Sequence, residues 1–137
     1  REPDVHLAVD PEFIISPGEV PGQDLGRITG AQVNYVQARM DQIARETGQR
    51  KMVVVHQFDD RMIDQKELIL DYPLVELVWD ADGFGGPGSK IADYNQYKRE
   101  TGFEYGGFKI FYRYDEPVMT PAQVLGLDPL PRLVIYQ

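Results

Sequence analysis

The sequence has no cysteine, two histidines, one tryptophan and two serines, and no apolar run approaches the length that spans a bilayer. Without cysteine there are no disulfides, no thiolate metal sites and no cysteine nucleophiles. Neither Ser16 nor Ser89 lies in a G-x-S-x-G elbow, so a serine nucleophile signature is missing as well. Positive charge is also scarce. Fourteen Lys and Arg against 22 Asp and Glu leave a formal net charge of −8 and a pI near 4.7. Neutralising phosphates requires clustered cations, so a nucleic-acid partner is not expected. His6 and His56 fall near opposite ends of their strands, and no His-based metal pair, metal or cofactor is expected. No basic-then-apolar leader is visible. The first residue is Arg1 rather than Met, which suggests processing or a boundary inside a longer protein.

What is present is enough for a core. Over 137 residues, 42% are hydrophobic and 11% aromatic, which fits a single α/β domain (1–137) that is itself a fragment of a larger barrel. Five runs read as strands: VHLAVD (5–10), KMVVVHQ (51–57), LVELVWD (74–80), FKIFYRY (108–114) and RLVIYQ (132–137). Four helices are predicted between them. Ala31–Thr47 carries Val33, Val36, Met40, Ile43 and Ala44 at helical spacing and stops at Gly48. Asp64 and Glu67 make a D-x-x-E start before Leu68 and Leu70, Ser89 caps a helix carrying Ile91, Tyr94 and Tyr97, and Thr120-Pro121 opens AQVLGL. The alternation is that of a parallel sheet with crossover helices. Two architectures fit: the C-terminal half of a TIM-type barrel, which is preferred because no helix follows the last strand, and an open flavodoxin-like sheet. The stretch SPGEVPGQDLGRITG (16–30), with four glycines and two prolines, reads as a long surface loop suited to a lid, or as a plain connection.

In parallel α/β folds ligands bind beyond the strand carboxyl ends. Those ends carry Asp10-Pro11-Glu12, His56-Gln57, Asp80-Ala81-Asp82, Tyr112 through Asp115, and Tyr136-Gln137, whereas the opposite ends are chemically plain. GFGGPG (83–88) matches G-x-G-x-x-G literally. However, Asp80 and Asp82 stand where a pyrophosphate would need positive potential, and Pro87 removes a backbone donor. P-loop and EF-hand readings fail too, since Ser89-Lys90 inverts the P-loop order and Ile91 replaces the closing Glu. The carboxylates are more informative: glycoside hydrolysis needs two of them across one bond. His56 follows three valines, and a lone strand histidine is more often a satisfied structural group than a catalyst. Trp79, Phe84, Tyr112, Tyr114 and Tyr136 offer an aromatic platform for a sugar ring, or simply packing.

VHLAVDPEF, MVVVHQF, WDADGFGGPGSK, FKIFY-x-YD and the final VIYQ together resemble the C-terminal part of an uncharacterised group of bacterial cell-envelope or lipoprotein-like proteins with a glycosidase-like barrel. The resemblance covers almost the whole chain. It implies a (β/α)8 fold and a cell-envelope or extracellular location, but no activity. A fainter likeness is to barrel lysozymes, carried by Asp10-Pro11-Glu12 and Gln137.

The expected function is binding or hydrolysis of a polar carbohydrate. Glu12 is the expected general acid, with Asp10 or Asp80 as its partner, while Asp82, His56, Gln57, Tyr112, Asp115 and Gln137 orient substrate. A non-catalytic envelope module using the same edge is the alternative. An Mg-binding receiver-like domain fits least, because Tyr136-Gln137 replaces the lysine expected at the last strand. The partners expected are carbohydrate and either the rest of the barrel or a second copy. One outcome follows directly: NAD, FAD and ATP should show no specific binding at residues 83–88 in calorimetric titration. Micromolar affinity abolished by Gly85→Ala would contradict this reading.

Overall fold

The computed structural model describes residues 2–137. The elements run β1 (Leu7–Val9), β2 (Ile28–Thr29), α1 (Gly30–Thr47), β3 (Lys51–Gln57), β4 (Ile63–Asp64), β5 (Val75–Ala81), α2 (Pro87–Tyr97), β6 (Tyr105–Ile110), α3 (Pro121–Leu125) and β7 (Leu133–Tyr136). Five strands form one parallel sheet in the order β1-β3-β5-β6-β7, and β2 pairs with β4 in a separate two-stranded sheet. The main sheet is curled like half a barrel.

Because each new strand adds beside its predecessor, the crossover helices accumulate on one side of the sheet. Side-chain alternation agrees. Val53, Val55, Val75, Leu77 and Trp79 pack with Val33 and Met40 of α1. Ala81, Phe108, Ile110 and Val134 pack with Tyr94 and Tyr97 of α2 and Val124 of α3. Burying a Val or Leu side chain contributes about 1.5–3 kcal/mol, so these two clusters hold the helices to the sheet. The open flavodoxin-like alternative, with helices on both faces, does not describe this chain.

Local chemistry explains most of the elements. Thr29 and Gln32 form a reciprocal capping box at the start of α1, and Gly48 ends it at φ 70°, where only glycine is comfortable. The same box recurs at α3 with Thr120 and Gln123, behind Pro121. At α2 the structure corrects the expected start: Gly86 is the cap and Pro87 the first helical residue, so the cap lies three residues before Ser89.

Among the described residues there are three α-helices rather than four. Asp64–Leu70 is not helical: Asp64 ends β4, Gln65 turns left-handed at φ 54°, and Lys66–Leu68 makes a single 3-10 turn. Polar side chains of α1 take up the backbone there. Asn34 donates to Leu68 O and accepts from Leu70 N, and Gln37, fully buried, donates to Leu70 O. The fourth main strand also moved. It spans Tyr105–Ile110 instead of 108–114, leaving Tyr112, Arg113 and Tyr114 in a turn.

Gly106 and Gly107 let β6 enter the sheet. A Cβ on Gly106 would lie 1.9 Å from Tyr94 Oη, and that hydroxyl donates to Pro129 O at 2.9 Å. Gly106→Ala should therefore displace a fully buried ring and lower stability by about 1–3 kcal/mol. Urea denaturation followed by circular dichroism measures it, and an unchanged midpoint would refute the packing described.

Candidate functional site

On the sheet face away from the helices, alternation places His56 of β3, Asp80 of β5 and Gly107 and Lys109 of β6. His56 is directly opposite Asp80 and Asp80 opposite Gly107. His56 Nδ1 lies 2.9 Å from Asp80 Oδ2 and 3.5 Å from Asp82 Oδ2. Lys109 Nζ reaches Asp82 Oδ1 at 2.8 Å. Asp80 is wholly buried and its Oδ1 has no hydrogen-bond partner among the described residues. His56, Asp80 and Asp82 offer ligand atoms within 4.8 Å of one another, the one such buried group among the described residues.

Above this cluster opens a cleft of about 490 Å³, whose lining includes the polar residues Glu12, Asp82, Asp93, Lys109 and Gln137 and the aromatic residues Phe58, Phe84, Phe111 and Tyr114. Phe84 stands edge-on to Phe111 at 6.2 Å and tilts against Tyr114 at 5.8 Å, so these three rings are in mutual contact.

The long loop determines where Glu12 sits. Gly26 N donates to Glu12 O and Arg27 N to Ile14 O, closing 16–27 back onto the Pro11–Phe13 turn. Gly26 is required there: a Cβ would lie 2.3 Å from Pro11 O. The loop contributes no residue to the cleft lining. Its backbone hydrogen bonds brace Glu12 from behind.

The glycine-rich stretch is held from inside the protein. Gly85 N donates to Asp115 Oδ1 at 2.9 Å, Phe111 N donates to Asp115 Oδ2, and Lys90 pairs with Asp115 at 3.2 Å while donating to Gly83 O. A carboxylate of the protein thus occupies the amide an incoming phosphate would want. Lys90 and Asp115 are both buried, and removing one partner from such a pair costs about 3–5 kcal/mol.

The expected residues therefore separate by position. Glu12, Asp82 and Gln137 line the cleft, with His56 and Asp80 beneath it. Asp10 acts electrostatically on Glu12 and His56, and its Oδ1 is buried without a partner. Three others are not brought to the cleft. Gln57, fully buried, lies on the helix side of β3; Asp115 braces the two loops; and Tyr112 is exposed and stacks on Tyr136. Among the aromatics, Phe84 and Tyr114 line the cleft, whereas Trp79 is buried in the helix-side core. Sequence reasoning missed Lys109, Asp93, Phe58 and Phe111. Lys109 was detectable from alternation, since it follows Gly107 by two on the same face.

Burial raises the pKa of Glu12, reinforced by Asp10 and Asp82. Burial likewise raises Asp82 against the opposing pull of Lys109. For His56, burial alone would lower the pKa, but the Asp80 hydrogen bond and the charges of Asp80, Asp82 and Asp10 reverse it to a net rise. Comparison with protein-family models, curated proteins and solved structures finds no match.

The three raised values act in one direction. A group that holds its proton more tightly when folded stabilises the fold fully below its unfolded pKa, and that contribution is lost as pH rises through the folded pKa. The loss starts above about pH 4 for the two carboxyls and above about pH 6.5 for His56. In chelator-containing buffer the urea midpoint should fall between about pH 6 and 9, and His56→Gln should flatten the upper part of that fall. A midpoint rising over this range would contradict the assignment.

Proposed function

We propose that this chain is the C-terminal part of a (β/α)8 barrel of the cell-envelope type, and that its strand carboxyl edge binds and hydrolyses a carbohydrate. The observation that carries the reading is the cleft itself, whose lining brings together three carboxyls with raised pKa, Glu12, Asp82 and Asp93, and the contacting rings of Phe84, Phe111 and Tyr114. Sugar rings present apolar faces that pack on aromatic rings and hydroxyls that bond to carboxylates and amides.

The division of labour follows from the surroundings. Glu12, desolvated and flanked by Asp10 and Asp82, is kept protonated to higher pH and is the general acid. Asp82, paired with Lys109, is the carboxylate partner that serves as base or nucleophile. This role passes to Asp82 from Asp80, which lies wholly buried under His56 and does not line the cleft. Gln137 and Asp93 are placed to orient hydroxyls. The five-stranded curl supports the barrel reading, since a closed (β/α)8 barrel takes eight strands and about 250 residues.

The test uses the full-length parent protein on a panel of polysaccharides. Glu12→Gln should lower turnover about 10²–10⁴-fold with the fold intact, because the amide cannot donate the proton the leaving oxygen needs. Asp82→Asn should do likewise, and Asp10→Asn should cost far less. Full turnover in Glu12→Gln would remove the acid assignment. Binding without any cleavage by the parent would establish the non-catalytic module instead.

A further inference from the structure

We propose that His56, Asp80 and Asp82 form a binding site for one divalent first-row transition-metal ion at the floor of the cleft. The site does not rest on the carbohydrate reading, since it is measured without any glycan.

The spacing suits an ion. Bonds of about 2.0–2.2 Å to a tetrahedral centre put neighbouring ligand atoms about 3.4 Å apart. The contacts from His56 Nδ1, at 2.9 Å and 3.5 Å, bracket that value, and all three ligand atoms lie within 4.8 Å of one another. Three strand positions supply them: His56 and Asp80 by direct register, and Asp82 two residues further along the same face. No backbone shift is needed to bring them together.

Two further observations distinguish this group from an ordinary acidic patch. Asp80 is wholly buried, yet its Oδ1 has no hydrogen-bond partner among the described residues, a costly state for a charged group unless something satisfies it. Gly107 is directly opposite Asp80, and a Cβ there would intrude to 2.8 Å from Oδ1. A divalent ion bound to the Asp80 carboxylate would supply positive charge that this buried and incompletely hydrogen-bonded group lacks.

The surrounding groups take the places of outer partners. Lys109 holds Asp82 by Oδ1, which leaves Oδ2 turned toward His56. Metal-bound carboxylates are commonly fixed this way by a second hydrogen bond. Asp10, the residue after Val9 in the β1–β3 ladder, adds another buried, unpartnered carboxylate oxygen near the group. One imidazole with carboxylates favours zinc, manganese or iron over magnesium or calcium, because a nitrogen donor suits the borderline ions.

The experiment uses the whole chain, stripped with chelator and dialysed. Zn²⁺ is titrated by calorimetry, and Co²⁺ by its visible absorption. Saturable binding of one ion per chain is expected, with a cobalt spectrum that disappears on adding zinc. Asp82→Asn and His56→Gln should each weaken zinc binding by at least about tenfold. Asp128→Asn, whose side chain is 98% exposed, should not change it. Absence of saturable binding, or equal binding in wild type and Asp82→Asn, overturns the proposal. Should His56→Gln fail to fold, Asp82→Asn carries the test alone, because Asp82 lies at the cleft surface. Zinc binding without any glycan binding would count against the carbohydrate reading only, and glycan binding without saturable zinc binding would count against this proposal only.

Discussion

The register between β3 and β5 is the constraint on which the rest of the molecule depends. It runs unbroken for seven pairs, from Lys51 opposite Val75 to Gln57 opposite Ala81. Because side chains alternate along a strand, a slip of one residue would turn valines to the open face and the histidine and aspartate into the helix layer. With the observed register, apolar residues meet α1 and α2 on one side, and His56 meets Asp80 on the other. Core and site are therefore two consequences of one ladder.

Charge is concentrated where the core is not. His56, Asp80, Asp82, Lys90 and Asp115 are all buried, and all lie at or just beyond the carboxyl ends of the strands. Such burial is costly unless each charge is paired and hydrogen-bonded. The Lys90–Asp115 pair meets that condition, with two backbone amides completing the aspartate. The His56–Asp80–Asp82 group meets it only in part, since one oxygen of Asp80 is left over. A fully satisfied pair gives rigidity to the two loops that carry Phe84, Phe111 and Tyr114. An incompletely satisfied group is where a ligand has something to contribute.

Much of the fold was legible because it follows from local rules. Alternating or continuous apolar runs marked the five main strands, and Gly48 and Thr120-Pro121 marked helix ends through capping chemistry that needs no tertiary context. Two misreadings arose where a side chain takes up backbone groups that the expected helix or strand would have used. Asp64–Leu70 looks like a helix start, but Asn34 and Gln37 reach from α1 to take its backbone groups. FKIFYRY looks like one strand, yet Phe111 and Asp115 turn the chain after Ile110 because the carboxylate of Asp115 binds Phe111 N.

The site divides along the same line. From sequence alone, Glu12, Asp82, His56 and Gln137 could be assigned to one edge, because strand direction fixes which end of each run carries them. Sequence could not decide which carboxylate faces the cleft and which is covered. Asp80 and Asp82 are two residues apart and share a face, and their difference comes from the neighbours: Asp80 is enclosed beside His56 and Gly107, while Asp82 opens toward Glu12 and Lys109. The role of the 16–30 loop was equally hidden, since bracing Glu12 depends on a close backbone approach at Gly26 that composition does not encode. The order of strands, the polarity of their ends and the helix caps were determined by the sequence itself, through interactions within a few residues. Burial, pairing and the shape of the cleft were decided only by tertiary structure, because they depend on which distant side chains exclude water from each carboxylate.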